Sequence, residues 1–103
     1  MPRVETGTER LVHAVLEHRT VSFTYRGLRR TVEPHLIGIH EAGEPLLVAY
    51  QTAGFSGSSE LPGWRTFVTT EIESVEPETA VFAGPRPDFS AEAHAMLEIF
   101  ARA

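Results

Sequence analysis

The sequence predicts a mainly β fold of the α+β kind, with five short strands in a small, partly open barrel between an N-terminal and a C-terminal helix. Near Thr20 the hydrophobic period changes from helical spacing to the alternation typical of strands. Beyond it, short apolar runs are separated by turns rich in Gly and Pro, which favours hairpin connections between consecutive strands. A strongly curved sheet allows so few strands to enclose a core. At 103 residues we expect a single domain.

The first predicted element is a helix over residues 7–18. Thr6 followed by Glu9 fits a capping box, in which each side chain satisfies a backbone N–H at the start of a helix. Four apolar residues then recur at helical spacing. They are Leu11, Val12, Val15 and Leu16.

The second predicted element is a hairpin with three arginines at and after its turn, Arg26, Arg29 and Arg30. Apolar and polar residues alternate through Val21, Phe23 and Tyr25, as in a half-buried strand. Gly27, taken as the first residue of a two-residue loop, suits a type II′ turn. That turn pairs Tyr25 with Arg30 and Phe23 with Val32. The second strand then runs from Arg30 to about Ile39, and Pro34 places it at a sheet edge or at a bulge.

Three further strands complete the predicted barrel, which spans residues 20–77. The run 46–50 is apolar throughout and predicts a buried strand, and residues 64–69 and 72–76 predict two more. In the fourth strand, Trp64 and Val68 share one face, and Arg65 and Phe67 share the other. The segment 51–63 is rich in Gly and Ser, which predicts a mobile surface loop.

The last predicted element is a helix over residues 90–102. Ser90 can cap it and Glu92 falls in its first turn, where an acidic residue suits the helix dipole. Four apolar residues make a stripe at helical spacing. They are Ala93, Met96, Leu97 and Phe100. The stripe fits either packing against the barrel or docking to a partner.

Composition excludes several classes of function. The chain has no cysteine and no apolar run long enough for a transmembrane helix, so we expect a cytoplasmic protein without disulfides. Its formal net charge is −5, which disfavours binding to nucleic acid through phosphate neutralisation alone. The five histidines do not show the spacing of a metal site, and neither a catalytic serine elbow nor a phosphate-binding loop is present. We therefore expect no enzyme activity, metal or cofactor.

The Arg cluster at residues 26–30 is the candidate binding feature. In the predicted hairpin, Arg30 lies on the same face as Tyr25, close enough for a cation–π contact worth about 0.5–1 kcal/mol. Arg26 and Arg29 lie on the other face. A guanidinium beside an aromatic ring suits a planar or phosphate-bearing ligand. The alternative is that these arginines pair with Glu33, Glu71 or Glu73 and keep an edge strand soluble.

The residues also resemble a known family. The segments "VSFTYRGLRRTVEPHLIGIHEAGEPLLVAY" and "WRTFVTTEIESVE" are similar to the WYL domain of bacterial transcription regulators, over roughly residues 7–77. The resemblance implies an Sm-like, SH3-like barrel preceded by a helix. It also implies a ligand-sensing or regulatory role, usually beside a helix-turn-helix domain, with nucleic acid or nucleotide ligands in some members. By position, Tyr25, His35 and Arg65 correspond to residues of the family pattern.

The sequence departs from that pattern at two places. The tripeptide that names the family falls on Pro45-Leu46-Leu47, so its Trp and Tyr are absent. The family's arginine after the fourth strand is replaced by Glu71, which reverses a charge near the expected ligand site.

These observations predict a non-enzymatic WYL-like sensor that acts in transcriptional regulation through a partner. We expect a small anionic, nucleotide-like or short single-stranded nucleic acid ligand. The candidate ligand-binding residues are Tyr25, Arg30, His35 and Arg65, with Arg29 peripheral. A helix-turn-helix protein is the expected partner, and a homo-oligomer is possible because Sm-like barrels pair through their strand edges. The alternatives are a protein-interaction or oligomerisation module that has lost ligand binding, and an RNA-binding Sm-type protein.

Overall fold

One helix and six antiparallel strands make up the described chain. The structure is a computed structural model that describes residues 5–55 and 61–103. Helix α1 spans Gly7–Glu17. The strands are β1 (Arg19–Tyr25), β2 (Leu28–His40), β3 (Pro45–Gly54), β4 (Gly63–Val68), β5 (Ile72–Val81) and β6 (Met96–Arg102). Short 3₁₀ turns cover Thr69–Glu71 and Ala91–His94.

The strands form a single sheet that is not closed. Its order is β4-β3-β2-β1-β5, and β6 pairs with β2 beside that path. Within the described residues β4 and β5 remain at the two ends and do not pair with each other. The mainly β class is confirmed. The sheet has six strands rather than the predicted five, and its pairing does not establish an Sm-like barrel.

Helix α1 follows the prediction closely. The Thr6 hydroxyl accepts from the Glu9 N–H and the Glu9 carboxylate accepts from the Thr6 N–H, which completes the capping box. His18 adopts a left-handed conformation and ends the helix. Leu11 and Val15 are buried, whereas Leu16 is exposed and does not belong to the packed face.

The β1–β2 hairpin has the predicted faces but a different turn. Arg26 and Gly27 both have positive φ, 51° and 78°, so the loop is of type I′ and is one residue earlier than predicted. The register is therefore offset by two residues. It pairs Tyr25 with Leu28, Phe23 with Arg30, and Val21 with Val32. An offset of two keeps every side chain on its face, because strand side chains alternate with a period of two.

Strand β2 changes its partner along its length. Its first half pairs with β1 and its second half, from Leu36, pairs with β6. Pro34 lies between these two pairings, next to a register shift against β3. A bulge is one of the two positions that a proline tolerates in a sheet, so the bulge alternative holds and the edge alternative does not.

The predicted C-terminal helix is wrong. Residues 91–94 form one 3₁₀ turn without a side-chain cap, Ala95 is left-handed, and the chain continues as strand β6 along β2. Gly38 permits this pairing, because a Cβ there would run into the carbonyl oxygen of Glu98. The helical spacing of the apolar residues is a local preference. The backbone hydrogen bonds that β6 forms with β2, beyond the part of β2 that pairs with β1, override that preference.

The core consists of two clusters of buried residues. The larger lies between α1 and the sheet and includes Phe23, Tyr25 and Phe67. The smaller contains Leu36, Val48 and Ala91, with Trp64, Phe89 and Met96 packed against it. Strand β3 extends to Gly54, so the predicted loop at 51–63 begins later than expected. Residues 56–60 of that loop lie outside the described residues.

Candidate functional site

Arg30 is buried against two aromatic rings on the face that β1 and β2 turn toward the larger core. Its side chain is 7% exposed. The guanidinium carbon lies 5.5 Å from the Tyr25 ring centroid and 5.8 Å from that of Phe67. One of its terminal nitrogens donates to the Tyr25 carbonyl at 3.3 Å. The cation–π contact expected between Arg30 and Tyr25 is therefore present.

Tyr25 is fixed in place by its hydroxyl and its ring. The hydroxyl accepts a hydrogen bond from the Val68 backbone N–H at 3.1 Å, and the ring meets Phe67 edge-on at 4.9 Å. The aromatic surface beneath Arg30 is thus held by both β1 and β4.

The charge of Arg30 is not neutralised by a carboxylate within residues 5–55 and 61–103. Burial lowers the pKa of the guanidinium, and the positive charges of Arg65 and Arg26 lower it further, against the favourable effect of Tyr25. Its Nε is buried and has no hydrogen-bond partner among the described residues. A desolvated cation in this setting favours an anion, because an opposite charge offsets the cost of burial.

Arg65 lies on β4 two residues before Phe67, so its side chain leaves the strand on the same face as Phe67 and Arg30. Its Nη1 donates to the Trp64 carbonyl at 2.7 Å. Tyr25, Arg30 and Arg65 are brought together, and we call these three residues the arginine rim.

Arg29 lies on the opposite face of the hairpin. Its guanidinium donates to the Ser74 carbonyl at 2.9 Å and lies 3.2 Å from the Glu76 carboxylate. Arg29 therefore pairs with a carboxylate other than the expected Glu33, Glu71 or Glu73, and its strand β2 is internal to the sheet rather than at an edge. The peripheral role of Arg29 in ligand binding stays a prediction.

His35 lies apart from the rim, beside the smaller core cluster. It is fully buried, and both ring nitrogens make hydrogen bonds, at 2.9 Å to the Glu33 carbonyl and 3.1 Å to the Arg86 N–H. Trp64, Phe82 and Phe89 surround the ring at centroid distances of 4.9–5.1 Å. The structure does not bring His35 to Tyr25 and Arg30, so its proposed ligand contact remains a sequence prediction.

Glu71, the charge reversal noted in the sequence, pairs with Arg26. Both carboxylate oxygens lie 3.4 Å from guanidinium nitrogens of Arg26, and this hydrogen bonding raises the pKa of Arg26. The pair is exposed to solvent. Glu71 thus neutralises an arginine at the turn and does not pair with Arg30.

Gln51 is a buried polar residue that sequence reasoning missed. The residue is opposite Val32, and Arg30 is opposite Gly54 three positions along β3, so Gln51 is a near neighbour of Arg30 across the two strands. Its amide nitrogen donates to the Ala53 and Phe55 carbonyls at 3.1 and 2.8 Å. The available signal was a polar residue directly after a continuous apolar run.

The protein family of the chain is shown by a match to a family model. The WYL domain model matches residues 8–77. The chain belongs to the WYL domain family. WYL domains are generally regulatory, ligand-sensing and non-catalytic, and they often bind nucleic-acid-like ligands and regulators. The match includes the arginine rim, Arg29 and His35, and it ends within β5.

No curated protein and no solved structure matches this WYL domain at a significant level of similarity. Across the described ranges no three His, Cys, Asp or Glu side chains gather in a way that could hold a metal ion. The helical part of the described chain contains no segment long and apolar enough to cross a membrane.

Proposed function

We propose that this WYL domain senses a small anionic ligand, nucleotide-like or a short single-stranded nucleic acid, at the arginine rim. The observation that carries the proposal is the buried guanidinium of Arg30, which has no carboxylate partner among the described residues. Arg65 adds a second positive charge on the same face, and Tyr25 supplies an aromatic surface. A guanidinium recognises a phosphate or carboxylate by forked hydrogen bonds and a planar group by stacking.

The charge of the whole chain limits the size of the ligand. A net charge of −5 repels a long polyanion, whereas a mononucleotide engages only the local field of the rim. Binding that depends on a phosphate should weaken as salt concentration rises.

The proposed output is a change in a partner protein. The described residues contain a single α-helix, so they do not include a helix-turn-helix motif. In this proposal the domain acts in transcriptional regulation through a helix-turn-helix partner, which responds to the ligand-bound form.

An NMR titration tests the proposal. The amide signals of the domain are followed while inorganic phosphate, a mononucleotide or a short single-stranded DNA is added at low and moderate salt. We expect shifts at Tyr25, Arg30 and Arg65, largest for the mononucleotide. No shift at these residues with any of the three ligands would contradict the proposal.

Matched variants locate the binding. Arg30→Gln and Arg65→Gln should each weaken the mononucleotide by about tenfold or more, since each removes a charge-assisted hydrogen bond. Arg102→Gln removes the same charge from β6, away from the rim, and should leave the affinity nearly unchanged. Equal losses in all three variants would indicate a general charge effect rather than a site.

Strand β6 supports a second candidate function, a protein-interaction or oligomerisation module. Leu97 is 70% exposed, and Ile99 and Phe100 are each 42% exposed. Apolar side chains gathered on an edge strand are typical of surfaces that bind protein. Light scattering over a wide concentration range tests the oligomeric form, and Phe100→Glu should dissociate any assembly. A monomer at every concentration would exclude that form.

A further inference from the structure

A segment that links β5 to β6, residues 82–90, is tied to the sheet through a histidine ring. We call this segment the strap. The Phe82 N–H donates to the His18 carbonyl at 2.8 Å, and the Arg86 N–H donates to His35 Nε2 at 3.1 Å. Pro85 and Pro87 flank Arg86 and carry no backbone N–H. The Arg86 N–H is therefore the only backbone donor that this tripeptide can offer.

The hydrogen bonds of His35 require a neutral ring with its proton on one particular nitrogen. Nδ1 lies 2.9 Å from the Glu33 carbonyl oxygen, which can only accept, so Nδ1 carries the proton. Nε2 accepts from the Arg86 N–H and must be unprotonated. A second proton on the ring would set two N–H groups against each other in a site with no solvent exposure.

We propose that His35 is a proton-operated latch, which holds the strap against the sheet when its ring is neutral and releases the strap when its ring is protonated. The Glu33 carboxylate does not offer the protonated ring an alternative partner. It is held by the Arg86 guanidinium in two hydrogen bonds, of 2.8 and 3.2 Å.

The charges around the ring set the direction of the pH dependence. Burial lowers the pKa of His35, and the positive charges of Arg86 and His18 act the same way, against the raising effects of the Glu33 carbonyl and carboxylate. The titratable or charged groups on the surrounding elements are Glu33 on β2, His18 after α1, Tyr50 on β3, Arg86 and Asp88 on the strap, and His94 after it. Because the folded pKa lies below the ordinary value of 6.5, the contribution of His35 to stability is complete above that value. It is lost as the pH falls through the lower, folded value.

Release of the strap can be local because the strap packs on the smaller core cluster. Phe82 stacks on the His35 ring at 5.1 Å, and Phe89 packs on Trp64 at 5.8 Å. The larger cluster around Phe23 and Phe67 contains no strap residue. Opening therefore exposes the aromatic faces of His35 and Trp64 and leaves the main core in place.

NMR of the intact domain between pH 8 and pH 5 tests the latch. Trp64 is the only tryptophan of the chain, and its indole N–H donates to Asp88 on the strap at 2.8 Å. We expect His35 to be the Nδ1–H tautomer at neutral pH. The Trp64 indole signal and the exchange of the Arg86 amide should change as His35 titrates, while the amides of Val21 and Phe23 stay protected. Between the ordinary pKa of 6.5 and the lower pKa of the folded His35 ring, the opening equilibrium should rise by up to about tenfold per pH unit, because opening takes up one proton in that range.

Two results would overturn the latch. One is a His35 ring that titrates without a change at Trp64 or Arg86. The other is a ring that stays neutral until Val21 and Phe23 lose protection too, because that outcome is global unfolding rather than release of the strap.

Variants separate His35 from the other titrating groups. His35→Gln offers an amide oxygen to the Arg86 N–H but cannot take up a proton, so the response of Trp64 should disappear. His13→Gln changes an exposed histidine on α1 in the same way and should keep the response. Asp88→Asn retains an acceptor for Trp64 without an acidic group, and it too should keep the response. If His35→Gln does not fold, the Asp88→Asn series still tests the latch, because loss of the response there would assign the transition to Asp88 and overturn the latch, while the His35 ring signals identify the group that titrates.

Discussion

The guanidinium of Arg26 holds both carboxylate oxygens of Glu71 at 3.4 Å. The same guanidinium lies over the ring of Tyr25, 5.2 Å from its centroid. Glu71 stands where the WYL pattern has an arginine, and the contact shows that its charge is directed to the turn of the hairpin. The Arg30 guanidinium lies 5.5 Å from the same ring centroid and has no carboxylate partner within the described residues.

Replacing Glu71 by Arg should strengthen anion binding at the rim. The change removes a negative charge and adds a positive one near Arg26 and Arg30, so the affinity for a mononucleotide should rise and depend more steeply on salt. Titration at two salt concentrations measures both effects. Glu73→Arg makes the same charge change on β5 and is the control. An equal gain from both variants would show that net charge, rather than position, controls affinity.

Replacing Tyr25 by Phe should destabilise the domain without changing its fold. The variant keeps the ring but leaves the Val68 N–H without its acceptor, which should lower the free energy of unfolding by about 1–2 kcal/mol. Urea denaturation measures the change. Tyr50→Phe is the control, because in the described part of the chain the Tyr50 hydroxyl makes no hydrogen bond and only its ring packs on Trp64 and Arg86. Equal losses would contradict the role of the Tyr25 hydroxyl.

Replacing Gly38 by Ala should displace β6. The added Cβ would run into the Glu98 carbonyl, so either the strand moves or the free energy of unfolding falls by about 1–3 kcal/mol. Carbon chemical shifts of residues 96–102 should indicate a strand in the native protein and lose that character in the variant. Gly7→Ala is the control, since its Cβ would make an ordinary contact with Val75 at 3.6 Å. Helical shifts in the native protein would contradict the strand itself.

Replacing Arg86 by Lys should weaken the strap at neutral pH. Lysine keeps the charge but loses the fork onto Glu33, and it loses a guanidinium that lies 3.7 Å from the Tyr50 ring centroid. We expect the free energy of unfolding to fall by about 1 kcal/mol, a value kept small because the Arg86 side chain is 37% exposed.

Thermal denaturation measures this change in stability, and Trp64 fluorescence reports on the strap. Arg102→Lys changes an exposed pair with Glu92 and should have no measurable effect. The backbone N–H of residue 86 is unchanged, so the pH response proposed for His35 should persist.

The local features of the sequence predicted the helix and the strands that precede β6, although not all of their bounds. Thr6 and Glu9 predicted the start of α1, and alternation through Val21, Phe23 and Tyr25 predicted β1 and its faces. These features depend on residues within a few positions of each other, so the sequence contains the whole signal. The turn type was wrong, but the shift of two residues it produced left Arg30 on the face of Tyr25.

The C-terminal strand and the place of His35 could not be predicted in this way. Residues 96–102 show helical spacing, and only the free ladder of β2 and the absence of a side chain at Gly38 make them a strand. His35 was expected beside Arg30, but a bulge at Pro34 and the return of the strap from residue 82 enclose it on the other side. The pairing of β6 with β2 and the bond from the strap to His35 join residues more than fifty positions apart in sequence.

The sequence by itself determined the mainly β class, the capped helix and the pairing of Arg30 with an aromatic ring, because each follows from the spacing of neighbouring side chains. The tertiary structure decided which carboxylate meets which arginine, how β6 completes the sheet, and that both nitrogens of His35 are engaged. Those outcomes depend on hydrogen bonds and burial between segments that are distant in the sequence. These interactions form only when the chain folds, so the spacing of neighbouring residues does not contain them.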